Sequence, residues 1–377
     1  MKILHLGKFY PPDPGGIEKV VQGLAEGAAR AGNEVRVVVA RGGGWKGPAA
    51  AEPRMSERNG VTVVRTSTAG VLWSQPISPG YLAAARWPAD VVYLHRPHPL
   101  ADVAAILTRP KNLVLFHHSD VQRQRSIKWI YSPLAHWVGR RARVSVLAAK
   151  ANLEHADDLG SRAKENSRVI PFGVDHLRFH NGPPERVPHV FQSLPGPTGI
   201  FVGRIVEYKG LDVLLKALSR TDLSFVIVGD GPLRPSLEKE SRRLGLDGRV
   251  VFAGAVEDKW LPAYYQSADY LVLPSTSPQE MFGVTLIEAM SCGKPVISTS
   301  VSSGVREVND PEVTGLEVRP GNVDELRTAL VRMTQGGVAR ELMGQAARRR
   351  VEQLFTLDKM IQAHLDLCEE IKAESQG

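Results

Sequence analysis

The sequence predicts an α/β protein built from two doubly wound, Rossmann-like domains. The chain has 377 residues, which is longer than one ordinary hydrophobic core organises. Short apolar runs that indicate buried strands alternate with longer amphipathic segments that indicate helices, and this alternation occurs in both halves of the chain. Glycine-rich turns connect strand to helix in each half, as in nucleotide-binding units.

Composition limits the class of protein. Hydrophobic residues make up 43% of the chain and charged residues 23%, which is typical of a soluble globular protein. No apolar run approaches the ~20 residues of a membrane span, and the first residues do not resemble a signal peptide. Cys292 and Cys368 show no metal-binding spacing. We therefore expect a cytoplasmic protein without a disulfide framework or a zinc site.

The first half of the chain is strongly basic. The net charge is +7, but residues 1–180 hold 25 Lys and Arg against 14 Asp and Glu, whereas residues 181–377 carry a net negative charge. The charge asymmetry indicates that an acidic partner would meet the first domain.

The first strand, turn and helix form half of a nucleotide-binding unit. A strand is predicted at Ile3–Leu6, a helix with a regular apolar stripe at Ile17–Ala28, and a second strand at Val35–Ala40. Gly15-Gly16 opens the helix, where it can cradle phosphate or admit an acceptor; a plain tight turn is the alternative. The pattern is not Gly-x-Gly-x-x-Gly, so a nicotinamide enzyme is disfavoured.

Further strands of the first half are predicted at Val61–Arg65, Asp90–Leu94, Asn112–Phe116 and Val144–Leu147. Residues 41–58 are small and glycine-rich and predict a mobile loop.

His117 and His118 follow the strand Asn112–Phe116, at the edge where ligands bind in open sheets. An imidazole there can hydrogen-bond a sugar, and Asp120 can accept a hydrogen bond from a ring nitrogen or a hydroxyl. The alternative is a structural histidine that caps the strand; His5, His95, His98, His117 and His136 are interpreted as ordinary partly buried residues.

Residues 122–143 combine basic and aromatic side chains. Pro133 interrupts the helical pattern, and the aromatic side chains are either interfacial or part of the core. Docking on an anionic membrane surface and a solvated basic face both remain open, while nucleic-acid binding is disfavoured because no recognised module accompanies the charge. The basic residues are Arg123, Arg125, Lys128, Arg140, Arg141 and Arg143, and the apolar and aromatic ones are Trp129, Ile130, Tyr131 and Trp137.

The second half repeats the alternation and offers phosphate ligands. Between its first strand, Gly199–Val202, and its first helix lies Gly203–Gly210. Arg204 supplies a guanidinium fork and Lys209 a point charge, and both are natural ligands for a diphosphate. The further strands are predicted at Ser224–Val228, Arg249–Phe252, Tyr270–Leu273 and Val296–Thr299.

The segment Pro278–Met290 is a loop that runs into a helix after the strand Tyr270–Leu273. Its order places Glu280 at the carboxyl end of the strand, with Glu288 about a turn further in, where it can point back to the same crevice. Carboxylates there accept hydrogen bonds from sugar hydroxyls. The backbone amides of Phe282, Gly283 and Val284 form the helix N-terminus, which suits a diphosphate.

Together these segments resemble the family-4 retaining glycosyltransferases. The matching phrases are Glu280-x-Phe282-Gly283…Glu288-Ala289-Met290-x-x-Gly293-x-Pro295, Gly203-Arg204…Lys209-Gly210, and the first loop Lys8-Phe9-Tyr10-Pro11-Pro12…Gly15-Gly16-Ile17-Glu18. Ile170-Pro171-Phe172-Gly173-Val174-Asp175 resembles the hinge phrase of the family, with Phe172 in place of the usual Asn.

The resemblance implies a GT-B fold, in which two Rossmann-like domains face each other across a cleft. It implies an acceptor-side domain at residues 1–178, a nucleotide-sugar domain at residues 190–356, and a C-terminal helix at 357–377 that packs back on the first domain. Residues 180–197 are interpreted as the interdomain linker.

The resemblance also assigns roles to residues. The implied catalytic residues are His118, Glu280, Arg204 and Lys209. The implied donor-binding residues are Gly16, Gly231, Val256, Phe282, Gly283, Val284 and Glu288. The implied acceptor residues are Tyr10, Asp13 and Asp120.

The implied reaction is retaining transfer of a sugar from a nucleotide-sugar donor. The first expectation is mannose from GDP-mannose, moved to a saccharide or lipid-linked acceptor in surface polysaccharide biosynthesis at the inner face of the cytoplasmic membrane. A UDP-hexose or UDP-hexosamine donor is the alternative, and a nucleotide-sugar epimerase of related fold or a non-catalytic nucleotide-binding protein is less favoured. Since no Asp-x-Asp occurs in the chain, we expect transfer without a metal or other cofactor.

Overall fold

The computed structural model describes residues 1–13, 15–41, 52–72, 75–118, 125–181 and 188–375. The chain divides into two compact units, Met1–Pro171 together with Asp358–Gly377, and Phe172–Leu357. Each unit holds a predominantly parallel sheet with helices packed on it, which is the doubly wound architecture that the sequence predicts.

The first unit is organised by an eight-stranded sheet in the order β10-β9-β8-β7-β1-β2-β4-β3. Only the edge strand β3 runs antiparallel. The strands of this sheet are β1 Lys2–Leu6, β2 Glu34–Ala40, β3 Met55–Arg58, β4 Val61–Thr66, β7 Val91–Arg96, β8 Leu113–His117, β9 Val144–Leu147 and β10 Ser167–Val169, and a separate hairpin contains β5 Gly70–Leu72 and β6 Gln75–Ile77. The strand order reverses between β1 and β7, so ligands of this unit are expected at the carboxyl ends of those strands.

Helices cover the first sheet. They are α1 Gly16–Arg30, α2 Gly80–Ala84, α3 Pro99–Thr108, α4 Arg125–Arg141, α5 Ser161–Glu165 and the C-terminal α15 Leu357–Glu374. The predicted stripe of α1 is buried, including Val20, Val21 and Leu24. A Cβ on Gly27 would overlap Ile361, so glycine allows α1 and α15 to approach closely.

The second unit is built on a six-stranded parallel sheet in the order β13-β12-β11-β14-β15-β16. Its strands are β11 Thr198–Val202, β12 Ser224–Val228, β13 Val250–Gly254, β14 Tyr270–Leu273, β15 Val296–Thr299 and β16 Gly315–Val318. Its helices are α6 His176–Asn181, α7 His189–Gln192, α8 Leu211–Leu218, α9 Arg234–Arg243, α10 Leu261–Ser267, α11 Val284–Ser291, α12 Val305–Val308, α13 Val323–Gln335 and α14 Gly337–Leu354. Here the order reverses between β11 and β14.

The central strands are apolar along their length because helices cover both faces of each sheet. Every residue of β8, β11 and β12 is buried, which explains why these strands show continuous Val, Ile, Leu and Phe instead of an alternating pattern. In the described part of the chain, no helix is both long enough and apolar enough to cross a bilayer.

The boundary between the units differs from the predicted one. The second unit begins at Phe172, not after residue 178. Phe172 packs edge-to-face on Phe282, and Val174 forms a parallel bridge with Thr356, so this segment belongs to the second unit. The predicted linker, residues 180–197, is also part of that unit: Phe191 is buried and packs on Tyr264.

Two local expectations are wrong. Residues 55–58 form the edge strand β3 and not a loop, because their backbone pairs with β4; residues 42–51 lie outside the described residues. Pro133 does not end a helix, since α4 continues through it from Arg125 to Arg141. A proline in a helix removes one backbone donor, but the buried face of α4, which includes Ala135 and Val138, holds the helix on the first unit.

Candidate active site

The candidate donor site lies at the switch point of the second sheet. Two loops leave the carboxyl ends of neighbouring strands there: Gly203–Gly210 follows β11, and Pro274–Gly283 follows β14. The first loop contains Arg204 and Lys209, and the second contains Glu280. Parallel strands bring both loops to one edge, as the sequence predicts.

Close backbone contacts fix the first loop. The amide of Gly203 donates to the carbonyl of Val228 at 3.0 Å, and the amide of Ile205 donates to Asp230 at 2.9 Å. A Cβ on Gly231 would overlap the carbonyl of Ile205. Gly231, predicted to bind the donor, therefore has a clear structural role: it lets the turn after β12 approach the backbone of Ile205, next to Arg204.

Lys209 and Glu280 form a buried ion pair. The amide of Thr276 donates to the carbonyl of Tyr208 at 2.8 Å, which joins the two loops directly beside the pair. The Ser275 hydroxyl donates a further hydrogen bond to Glu280 Oε2 at 3.1 Å. Both charged residues are more than nine-tenths buried.

The charge of Lys209 is maintained despite its burial. Desolvation lowers the pKa of Lys209, but the Glu280 carboxylate beside it raises the pKa, and the net result lies above the ordinary value. The site therefore presents an ammonium and a carboxylate together. An ammonium attracts a phosphate, and a carboxylate accepts hydrogen bonds from sugar hydroxyls.

Helix α11 begins next to this pair. Its N-cap, Gly283, has φ 75°, a left-handed conformation that favours glycine. The amides of Phe282, Gly283 and Val284 donate none of the hydrogen bonds found among the described residues. They are the first orphan donors of the helix, in the position that the sequence predicts for a phosphate site.

Glu288 lies in the interior of the second unit. It is buried, and its Oε2 accepts a hydrogen bond of 2.6 Å from the hydroxyl of Tyr265 on α10. Burial raises the pKa of Tyr265 well above its ordinary value, and the charge of Glu288 raises it further. The sequence places Glu288 on the face of the same crevice as Glu280, whereas the contact that the structure gives is with Tyr265.

Arg204 and Val256 complete the predicted donor-side residues of the second unit. The Arg204 side chain is exposed, which leaves its guanidinium accessible to a ligand. Val256 is half-buried in the turn that follows β13, two strands away from β11.

The corresponding edge of the first unit carries Gly16, which is predicted to bind the donor, and the predicted acceptor residues Tyr10 and Asp13. Gly16 is exposed at the start of α1, and open space surrounds the position of a Cβ there. Asp13 is buried, and its amide donates to the carbonyl of Tyr10 at 3.2 Å. Tyr10 itself is fully buried, which argues against direct contact between its side chain and an acceptor.

Two arginines hold the loop that contains Tyr10 and Asp13. Arg65 donates to the carbonyl of Pro11 at 2.7 Å, and Arg58 donates to the same carbonyl at 2.9 Å. The Arg65 side chain has no exposed surface, although arginine is almost never fully buried without partners. Arg65 could not be identified from the sequence, because a lone arginine in a strand gives no signal of its long-range partner.

His118 lies directly after β8, buried, and the structure joins it to two other histidines. His118 Nε2 lies 2.9 Å from His95 Nδ1, and His95 Nε2 lies 3.0 Å from His5 Nδ1. The sequence predicts His5 and His95 as ordinary partly buried residues, whereas both are buried in the structure. The alternation of side chains along a strand could have grouped His95 with Tyr93 and His118 with Phe116, but the register that adds His5 to the same face comes only from the structure.

The basic segment, residues 122–143, lies within the described residues from Arg125 onward. Asp120 and Arg123 lie outside the described residues, and Arg125 and Lys128 fall at the start of α4. Tyr131 is buried and donates to Asp102, so it is a core residue and not an interfacial aromatic. The remaining basic residues, Arg140, Arg141 and Arg143, are exposed.

Comparison with known proteins identifies the family. Residues 14–178 match the model for Glycosyltransferase Family 4, and residues 193–350 match the model for Glycosyl transferases group 1. The chain is 31% identical to the O-antigen chain mannosyltransferase C of Escherichia coli over 97% of its length and 98% of the relative. It is 33% identical to the D-rhamnosyltransferase WbpZ of Pseudomonas aeruginosa over 94% of its length and 92% of the relative.

The fold comparison agrees. The structure of HepE from Anabaena, in complex with UDP-glucose, matches 98% of this chain and 100% of its own with a TM-score of 0.81 and 22% sequence identity. At that identity the match shows the GT-B fold alone. The two family models and the two full-length relatives go further: this protein is a glycosyltransferase and belongs to family 4.

Proposed function

We propose that this glycosyltransferase takes its sugar from a nucleotide-sugar donor that binds to the second domain. The buried Lys209–Glu280 pair, beside the open amides at the start of α11, carries the proposal. It combines a cation and orphan N–H groups for a diphosphate with a carboxylate for sugar hydroxyls.

Each residue has a definite chemical task in this proposal. Lys209 and Arg204 stabilise the negative charge that develops on the departing diphosphate, and Glu280 orients the sugar. Because Lys209 and Glu280 already contact each other, the charges are positioned before the donor arrives. Such preorganised groups stabilise a transition state at little reorganisation cost.

We propose that no metal ion is needed for this step. Lys209 and Arg204 supply two positive charges where other enzymes place a divalent cation on the diphosphate. Nucleotide binding and sugar transfer are therefore expected to be unchanged by EDTA. A dependence of either on magnesium or manganese would contradict this part of the proposal.

We propose GDP-mannose as the first donor to test. The support comes from the Escherichia coli relative, which is named a mannosyltransferase of the O-antigen chain and aligns along almost the whole chain. UDP-glucose is the alternative, because the structurally similar HepE was determined with it. By analogy with the relatives, the acceptor is a saccharide or lipid-linked saccharide of a surface polysaccharide.

The transfer is proposed to retain the anomeric configuration. The leaving phosphate would accept the proton of the acceptor hydroxyl on the same face of the sugar, while His118 on the first domain hydrogen-bonds the reacting sugar. The anomeric configuration of the product, measured by NMR, tests this directly: an inverted product would exclude the mechanism.

We further propose that the exposed Arg140, Arg141 and Arg143 bring the first domain to an anionic membrane, where a lipid-linked acceptor resides. Co-sedimentation with vesicles that contain phosphatidylglycerol, compared with neutral phosphatidylcholine vesicles, tests it. Equal binding to both, or to neither, would contradict docking.

The decisive experiment for the donor is a calorimetric titration with GDP, UDP, ADP and dTDP, each with magnesium or with EDTA. A ligand that binds the folded state stabilises it by mass action, so a thermal shift gives a second readout. Selective binding of GDP in EDTA supports the mannosyl donor. UDP selectivity would favour the alternative, and no nucleotide binding would overturn the proposal.

A further inference from the structure

We propose that His95 and His5 are positioning residues for His118: the three imidazoles form one hydrogen-bonded ladder in which all rings share the same tautomer. All three histidines belong to the first unit. The effect of the ladder on sugar transfer rests on the proposed function of His118, whereas the hydrogen bonds of the ladder do not depend on that function.

The ladder follows from strand register. In β1, β7 and β8, His5 pairs with Tyr93, and His95 pairs with Phe116, so all four side chains lie on one face of the sheet. His118 continues this face just beyond the end of β8. The ring planes of His5 and His95 are nearly parallel, at 20° with centroids 5.3 Å apart, and those of His95 and His118 are at 17° with centroids 5.2 Å apart, so in-plane N–H groups can meet ring nitrogens edge to edge.

Each link joins the Nδ1 of one ring to the Nε2 of the next. His5 Nδ1 faces His95 Nε2 at 3.0 Å, and His95 Nδ1 faces His118 Nε2 at 2.9 Å. A neutral imidazole carries one proton, so one of its nitrogens donates and the other accepts. If His5 donates from Nδ1, then His95 accepts at Nε2 and must donate from Nδ1 to His118.

Only two neutral states satisfy both hydrogen bonds. Either all three rings carry the proton on Nδ1, or all three carry it on Nε2. A different tautomer in a single ring would put two N–H groups or two lone pairs face to face in a buried site, which costs the free energy of an unmade hydrogen bond. The tautomer of His118 is therefore coupled to that of His5, although the two rings share no hydrogen bond.

The surroundings keep the rings uncharged. Burial lowers the pKa of His5 to about 3 and that of His118 to about 3, and burial together with the neighbouring histidines lowers that of His95 well below its ordinary value. Among the described residues, the titratable side chains around the ladder are Tyr93, His98, His117, His364 and Cys368. No carboxylate of the described residues is among the groups that act on these three pKa values.

The other buried histidine of this face provides a control. His364 on α15 contacts the hydroxyl of Tyr93 through Nδ1 at 3.2 Å and packs on Phe116 with centroids 5.0 Å apart. It is as buried as the ladder and lies against the same rings, but it hydrogen-bonds none of the three histidines. Its replacement changes the packing of this face without breaking a link.

The test is long-range ¹H–¹⁵N NMR of the full-length chain labelled on histidine nitrogens, since protonated and unprotonated ring nitrogens resonate far apart. We expect one tautomer for His5, His95 and His118 in the unaltered protein. In His5→Phe and His95→Phe, His118 is expected to become a mixture of both tautomers. In His364→Phe, the His118 signals should keep their tautomer.

Two different neutral tautomers within the ladder of the unaltered protein would overturn the proposal, and this measurement needs no variant to fold. An unchanged His118 signal in both ladder variants would overturn it as well. If His118 acts in transfer as proposed, His95→Phe also lowers kcat by about tenfold, the lower end of what losing the partner of a functional histidine costs. Normal kcat with an altered tautomer would refute the role of His118 and leave the ladder standing.

Discussion

Arg204 and Lys209 illustrate two ways in which a protein presents a cation to a ligand. Arg204 is exposed at the end of β11, whereas Lys209 is buried against Glu280. Removing the buried cation would leave the Glu280 charge uncompensated and destabilise the fold by about 3–5 kcal/mol. The exposed cation can be removed with little structural cost, so it isolates the effect of charge on the reaction.

Arg204→Ala is expected to lower kcat for sugar transfer by about 10² to 10³, the loss measured when one preorganised ligand of a developing negative charge is removed. The thermal unfolding midpoint should barely change. Arg220→Ala is the matched control, because Arg220 is also an exposed arginine of the second unit and pairs with Asp324 at the surface. Equal turnover of the two variants would exclude a diphosphate contact by Arg204.

Sequence motifs identified the residues whose chemistry is local. Lys209, Glu280 and the amides of α11 follow directly from a loop at the end of a strand, and the structure brings them together. The partner of Glu288 could not be predicted in the same way, because Tyr265 lies on another helix. The structure also buries Tyr10, since a side chain in a loop gives no sign of whether it turns inward.

At the scale of elements, glycine determines how closely the two donor loops approach. Gly210 has φ 68°, and a Cβ there would overlap the carbonyl of Pro274 on the neighbouring loop. Gly245 has the same φ of 68°, but open space surrounds its Cβ position. Substitutions at the two positions therefore distinguish the effect of backbone strain from the effect of moving the two loops apart.

Gly210→Ala is expected to weaken nucleotide binding by more than tenfold, because the loop that carries Lys209 must move away from the loop that carries Glu280. Gly245→Ala should cost similar backbone strain, about 1 kcal/mol, and leave nucleotide affinity unchanged. Isothermal titration calorimetry measures both. If the two variants bind nucleotide equally well, close loop contact does not determine affinity.

Three aromatic rings support the start of α11. Phe282 packs edge-to-face on Phe172, with centroids 5.2 Å apart, and on Phe355, with centroids 5.9 Å apart. Phe172 replaces the Asn that is usual in the family, so an apolar contact stands where a polar one would be expected. The rings fix the backbone immediately before the N-cap Gly283.

Phe172→Ala is expected to destabilise the protein by about 3 kcal/mol and to weaken nucleotide binding, because the α11 amides lose their support. Phe191→Ala is the control: it also removes a buried ring of the second unit that packs on an aromatic, here Tyr264. That variant should show comparable destabilisation in urea with unchanged nucleotide affinity. Loss of affinity in both would indicate a general effect of stability.

The strands of both sheets were predicted closely because buried parallel strands are short apolar runs. The strands β3, β10 and β16 were missed: Ser167–Val169, for example, is mostly exposed at a sheet edge and is not a buried apolar run. The linker was misplaced for a different reason. A segment rich in Pro, Gly and charge resembles a linker, but Phe191 anchors it to α10.

At the scale of the whole molecule, buried neutral histidines couple stability to pH. Burial lowers the pKa of His5, His98, His118 and His364 to about 3. Between that value and the unfolded pKa near 6.5, the unfolded chain binds protons that the folded chain does not. The contribution of these histidines to the free energy of unfolding is therefore fully present above about pH 6.5, and it decreases as the pH falls below that value.

The urea denaturation midpoint is expected to drop from pH 7.5 to pH 5, with each of these histidines contributing up to about 1.4 kcal/mol per pH unit. In His98→Phe, the slope of the unfolding free energy against pH should decrease by the equivalent of about one bound proton. His189→Gln, at an exposed position, should leave it unchanged. A midpoint that does not vary over this range would contradict neutral burial.

The path of the chain through the first unit has a consequence for biosynthesis. Residues 358–377 belong to that unit, although the whole second unit is translated before them. Until α15 leaves the ribosome, Tyr93 lacks its contacts with His364 and Cys368, and Gly27 lacks Ile361. The second unit is contiguous and can fold while translation continues, whereas the first must wait for its last helix. A nascent chain released early would therefore expose the histidine face of its sheet and present a natural target for chaperones.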